Sequence, residues 1–69
     1  MEILAINLLN LRKDRKVSRQ AVANAVRISA KTYERYENGE REPNASTIVA
    51  LADYFGVTTD YLLGRTDQR

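Results

Sequence analysis

Sixty-nine residues that are 43% hydrophobic and 29% charged make one small domain of soluble, globular composition, too short for two domains and too apolar to be disordered. The absence of Cys and His removes disulfides, thiolate nucleophiles, the usual zinc ligand sets and the commonest neutral-pH base, so neither enzyme chemistry nor a metal or other cofactor is expected. The net charge of +2 hides two poles: residues 1–35 carry eight basic and three acidic side chains, and residues 36–69 carry three basic and six acidic ones. A basic half is a surface that a polyanion can use, although a merely solvated face has the same composition.

Leu4, Leu8 and Leu11 recur at i, i+4 and i+7 with no Gly or Pro between them, which predicts a first helix over about 3–13. Ser18 before Val22, Ala23 and Val26 reads as the cap of a second helix over about 19–26. Ser29 repeats that signal, and a third helix over about 30–38 carries Tyr33 and Tyr36 before the Asn38-Gly39 stop. Glu40 to Pro43 is a loop; Asn44 caps a fourth helix with Ile48, Leu51, Ala52 and Phe55 inward and Gly56 at its end. Thr58 caps a last short helix holding Tyr61, Leu62 and Leu63, closed by Gly64, and 65–69 reads as a frayed tail. Nothing alternates with period two, so the fold is all-α. No apolar run approaches the ~18 residues of a membrane span. Glu2 stands before the first apolar stretch and Arg12, Lys13, Arg15 and Lys16 after it, the reverse of a secretory leader, so a cytoplasmic place is expected.

The second and third helices are joined by about three residues, the length scale of a helix-turn-helix and equally of an ordinary helical hairpin. Ala23 lies where a crossing helix must come close. Ala30, Lys31, Glu34 and Arg35 lie opposite Tyr33 and Tyr36, and a polar face with two cations suits base edges and phosphates as well as it suits water.

Val17-Ser18-Arg19-Gln20-Ala21-Val22-Ala23, Ile28-Ser29-x-x-Thr32, Tyr36-Glu37-Asn38-Gly39, x-Arg41-x-Pro43, Leu51-Ala52, Phe55-Gly56-Val57 and Asp60-Tyr61-Leu62-Leu63-Gly64 together resemble the Cro and phage-repressor type of helix-turn-helix regulator (XRE-like) over about residues 4–66. The resemblance implies a single domain over 1–69, a compact five-helix, lambda-repressor-like bundle with its helix-turn-helix at about 19–38 and its third helix in the DNA major groove. Ala30, Lys31, Glu34 and Arg35 then fall at base-contacting positions, with Glu34 better explained as an i, i+3 partner of Lys31. Arg19, Ser29, Thr32 and Asn38 fall at phosphate-contacting positions. Arg12 and Glu37 match a pair that the family often joins as a partly buried ion pair, and both sit at the edge of the buried face.

The chain departs from the family's pattern in several places. Arg19 replaces a Gln, Tyr36 a common Trp, and Glu40 and Glu42 stand where basic residues are frequent. Arg27 replaces the turn Gly; if that position needs φ > 0, a side chain there costs about 1 kcal/mol. The implied function is a sequence-specific regulator of transcription that binds double-stranded DNA, a repressor acting as a homodimer on a pseudo-palindromic operator and associated with the nucleoid. The alternative is a protein-interaction module or the antitoxin of a toxin–antitoxin pair, which Glu34, Glu40 and Glu42 favour. Nothing marks a small-molecule ligand. The resemblance places a dimer surface around Tyr61 to Arg65; Ile6 and Leu9, which lie off the Leu4-Leu8-Leu11 stripe, offer a second apolar patch.

Overall fold

In the computed structural model, which describes residues 2–69, the helices are α1 (Glu2–Arg15), α2 (Arg19–Val26), α3 (Ala30–Glu37), α4 (Ala45–Phe55) and α5 (Thr59–Leu62), with no strand among the described residues. Four begin in the same way, because a short polar side chain in extended backbone satisfies a helix donor that has no partner within the helix. Ser18, Ser29, Asn44 and Thr58 accept from the N–H groups of Ala21, Thr32, Thr47 and Tyr61 at 2.9–3.1 Å.

The helix ends also share one design. At Lys16, Arg27, Gly39, Gly56 and Gly64 the backbone takes positive φ. In each case the N–H of that residue reaches back to a carbonyl three residues earlier, and the next N–H to one five residues earlier. This turn satisfies the last carbonyls of a helix and reverses the chain within two residues. The first helix extends past the expected Lys13 to Arg15, because Arg12 to Arg15 remain good helix formers after the apolar stripe ends. The third stops at Glu37, with Asn38 as its cap.

Leu4, Leu8 and Leu11 of α1 meet Val22 and Ala23 of α2, Tyr33 and Tyr36 of α3, Leu51, Ala52 and Phe55 of α4 and Leu62 of α5 in one buried cluster. Leu8, Val22, Ala23, Tyr33, Leu51 and Leu62 are wholly excluded from solvent, and each large apolar side chain so buried stabilises by about 1.5–3 kcal/mol. The complete burial of Ala23 fits the need for a small residue where α2 and α3 cross. Two polar ties pin the ends of α5 and α4 to α1. The Asn7 amide donates to the Tyr61 and Leu62 carbonyls at 3.1 and 3.2 Å. Arg15 donates to the Tyr54 carbonyl at 2.7 Å and lies over the Tyr54 ring, 5.1 Å from its centroid, a cation at a helix C-terminus where the dipole favours it.

Candidate nucleic-acid interface

Helix α3 is only eight residues long, and its two faces differ in kind. Tyr33, Tyr36 and Glu37 point inward and are buried, a spacing of three and four residues that a helix places on one side. Lys31 and Arg35 are exposed on the other side, with Glu34 and Ala30 half-buried at its margin. Ala30 packs against the core as well. The Lys31 ammonium lies 3.6 Å from the Glu34 carboxylate, an exposed pair that contributes little stability but cancels part of the positive charge of the face.

The candidate phosphate-contacting residues fall at the two ends of this helix, about 12 Å apart. Ser29 and Thr32 stand at its N-terminus, joined to each other: the Ser29 hydroxyl accepts from the Thr32 N–H at 3.1 Å and donates to the Thr32 hydroxyl at 2.9 Å. Asn38 is exposed at the other end. Arg19, the first residue of α2, comes to that same end, because its Nε donates to Glu37 Oε1 at 3.2 Å. Nothing in the sequence signalled this contact, since residues 18 apart on different helices have no periodic relation.

Glu37 has a nearly inaccessible carboxylate, 1% exposed. Arg12 grips it as a fork, Nε to Oε2 at 2.6 Å and Nη2 to Oε1 at 3.2 Å, while Arg12 Nη1 donates to the Val17 carbonyl at 3.1 Å. Burial alone pushes the Glu37 carboxyl up; the hydrogen bonds from Arg12, the nearby Tyr33 hydroxyl and the charges of Arg12 and Arg19 outweigh it, and the carboxyl titrates below its usual range. Tyr33 stands beside this group with its hydroxyl buried and without a hydrogen bond of normal geometry among the described residues. Burial first, then the close approach of the Glu37 carboxylate to the hydroxyl, and then the Glu37 charge push its ionisation well above the ordinary tyrosine range.

Arg27, in the turn between α2 and α3, has φ 62° and ψ 46°, so the left-handed conformation is kept without glycine. The surface around Tyr61 to Arg65 is only partly available: Leu62 is wholly buried and Leu63 packs on the core. Ile3 and Ile6 of α1 are 46% and 47% exposed, and Leu9 is half-buried. Ile3, Asn7, Tyr61, Gly64 and Arg65 line one shallow groove. No group of acidic side chains among the described residues could hold a metal ion, and no helix there is long and apolar enough to cross a membrane.

Residues 8–62 match the sequence profile of a helix-turn-helix family. The HTH-type transcriptional regulator AnsR of Bacillus subtilis is 42% identical over 62 residues, covering 90% of this chain and 53% of that protein; the chain spans about half the length of the curated relatives it matches. The P22 c2 repressor, in a crystal structure with a synthetic operator, superposes with a TM-score of 0.84 at 26% identity over 90% of this chain and 94% of that one. A transcriptional regulator from Listeria innocua gives 0.86 at 27% identity over 96% and 62%. Five helices in this order, with α2 and α3 held at a tight turn and a polar face on α3, together with these matches, place the chain in the helix-turn-helix family of the Cro and phage-repressor type.

Proposed function

We propose that this domain binds double-stranded DNA with α3 in the major groove and regulates transcription as a repressor. The observation that carries the reading is the exposed face of α3, with two cations at its centre and phosphate-type groups at both ends. Lys31 and Arg35 donate to guanine edges, and the Ala30 methyl meets a thymine methyl. Arg19, Ser29, Thr32 and Asn38 hold backbone phosphates and fix the register. Glu34 restrains Lys31 rather than reading a base. That the P22 c2 repressor, with the same fold, was crystallised with an operator supports this reading. One helix-turn-helix reads a short half-site, so tight binding calls for a homodimer on a pseudo-palindromic operator with half-sites about 34 Å apart. Such a protein works in the cytoplasm, on the nucleoid.

Mobility-shift titration against duplexes selected from a random pool tests the reading at two salt concentrations. Selective binding that weakens steeply with salt is the expected result, because phosphate neutralisation releases counterions. The Lys31–Glu34 pair and the acidic Glu40 and Glu42 favour a second reading, a module that binds protein, such as an antitoxin; salt-insensitive failure to bind any duplex would support that one.

A further inference from the structure

Arg19 is held by one edge only. Its Nε donates to Glu37 Oε1 at 3.2 Å, its side chain is 47% exposed, and neither Nη group has a partner among the described residues. Glu37 is in turn fixed from the other side by the Arg12 fork, with its carboxylate 1% exposed. The order of charges decides what this can do. A lone buried carboxylate beside a phosphate site would repel the phosphate, but Arg12 cancels that charge at contact distance. The trio of two arginines and one glutamate keeps a net +1, and it is the outer, exposed arginine that carries it toward solvent. Asn38, the next residue after Glu37, is exposed at the same end of α3.

We infer that Glu37 is a positioning residue for DNA binding: neutralised by Arg12, it holds the Arg19 guanidinium by its Nε edge and presents the two Nη groups as a preset fork for one backbone phosphate. The inference rests on the DNA-binding reading above and names how one of its phosphate contacts is made. A free arginine loses rotamer freedom when it closes on a phosphate, whereas one restrained in the folded protein has already lost it, and its planar fork matches the anion. Lysine keeps the charge but has no second edge by which a carboxylate could orient it while its donors face outward.

The test compares wild type, Arg19→Ala, Arg19→Lys, Glu37→Gln and the double variant Arg19→Ala/Glu37→Gln on a mixed-sequence 20-base-pair duplex at several salt concentrations, since phosphate contacts do not depend on sequence. Arg19→Ala is expected to weaken binding about tenfold and to reduce the salt slope by about one. Arg19→Lys is expected to stay close to Arg19→Ala. Glu37→Gln is expected to lose about as much as Arg19→Ala, and the double variant no more than either, because both changes remove one oriented contact. Glu37→Gln lowers the melting temperature in any case, because it leaves Arg12 without its buried partner, so the binding data decide: a purely structural Glu37 would give losses that add in the double variant, which overturns the inference. Lysine at position 19 binding as wild type, or Glu37→Gln binding more tightly because the carboxylate had competed with the phosphate, also overturns it. If Glu37→Gln does not fold, the Arg19→Lys comparison decides. Wild type that binds no duplex even at low salt overturns the DNA-binding reading itself and this inference with it, an outcome distinct from all the others.

Discussion

Arg27 and Gly56 occupy the same place in the same turn. Their backbones agree, φ 62° and ψ 46° against φ 68° and ψ 33°. Their N–H groups reach Asn24 and Asp53 at 3.3 and 3.2 Å, and the following N–H groups reach Ala23 and Ala52 at 3.0 Å in both cases. The chain thus uses glycine for this turn after α4 and an exposed arginine for it between the two helices of the helix-turn-helix. The left-handed region costs a residue with a Cβ about 1 kcal/mol or more, and glycine gives part of that gain back through its freer unfolded chain. Arg27→Gly is therefore expected to stabilise by a few tenths to about 1 kcal/mol, read as a melting temperature higher by a few degrees. A lower melting temperature would show that the Arg27 side chain makes a stabilising contact.

The same reasoning separates two glycines. A Cβ at Gly56 would meet nothing within 4 Å, whereas at Gly64 it would lie 2.7 Å from Ile3 Cγ1 and 3.0 Å from Cγ2. Gly56→Ala is expected to cost about 1 kcal/mol from conformation alone, and Gly64→Ala clearly more. Truncating the opposing side chain in Gly64→Ala/Ile3→Ala should recover the excess. Urea midpoints of the four proteins check this; equal costs at the two glycines would show that Ile3 moves aside freely.

Acid and alkaline stability should depend on different residues. The Glu37 carboxyl titrates lower in the folded protein than in the unfolded chain, so its contribution is complete above the unfolded value of about 4.3 and is lost as pH falls through the folded value. Tyr33 is raised above its ordinary value of 10.0, so its contribution is complete below about pH 10 and declines as pH rises further. Glu37→Gln should flatten the acid limb of a stability-against-pH curve, and Tyr33→Phe the alkaline limb. Because the Tyr33 hydroxyl helps to keep Glu37 ionised but makes no hydrogen bond of normal geometry among the described residues, Tyr33→Phe should change stability at pH 7 by no more than about 1 kcal/mol. A loss of several kcal/mol would mean that the hydroxyl is well partnered.

On DNA, Lys31→Ala and Arg35→Ala should each reduce discrimination by about 1–3 kcal/mol at the base contacted, with the fold intact because both side chains are exposed. Asn38→Ala should weaken all sequences alike. Glu34→Ala should release Lys31 from its 3.6 Å partner and raise affinity for unrelated sequences. Competition titrations with single-base operator variants check all four, and uniform losses for Lys31→Ala and Arg35→Ala would reassign them to phosphates.

For assembly, Ile3 is the informative position on the groove it shares with Tyr61, Gly64 and Arg65, because it is 46% exposed while Leu63 packs on the core. Ile3→Glu should leave the monomer folded and remove cooperative binding to a two-half-site duplex. Sedimentation with that duplex checks this; an undiminished 2:1 complex would move the interface to Ile6 and Leu9.

The sequence alone determined where the helices begin and nearly where they end, because caps, left-handed stops and apolar spacing are local properties of a few consecutive residues. Ser18, Ser29, Asn44 and Thr58 could be read as caps without knowing what packs on what. It also determined that Ala30, Lys31, Glu34 and Arg35 share a face, since helical periodicity fixes directions around one axis. The positive φ of Lys16 escaped it, because lysine carries no local signal for that conformation. Only the tertiary structure decided that Arg19 meets Glu37, that Asn7 ties α1 to α5 and that Arg15 closes the end of α4. These contacts join residues 18, 54 or 55 and 39 positions apart. Their partners are set by how the helices cross around Leu8, Tyr33 and Leu51, and no periodicity within a single helix encodes that crossing.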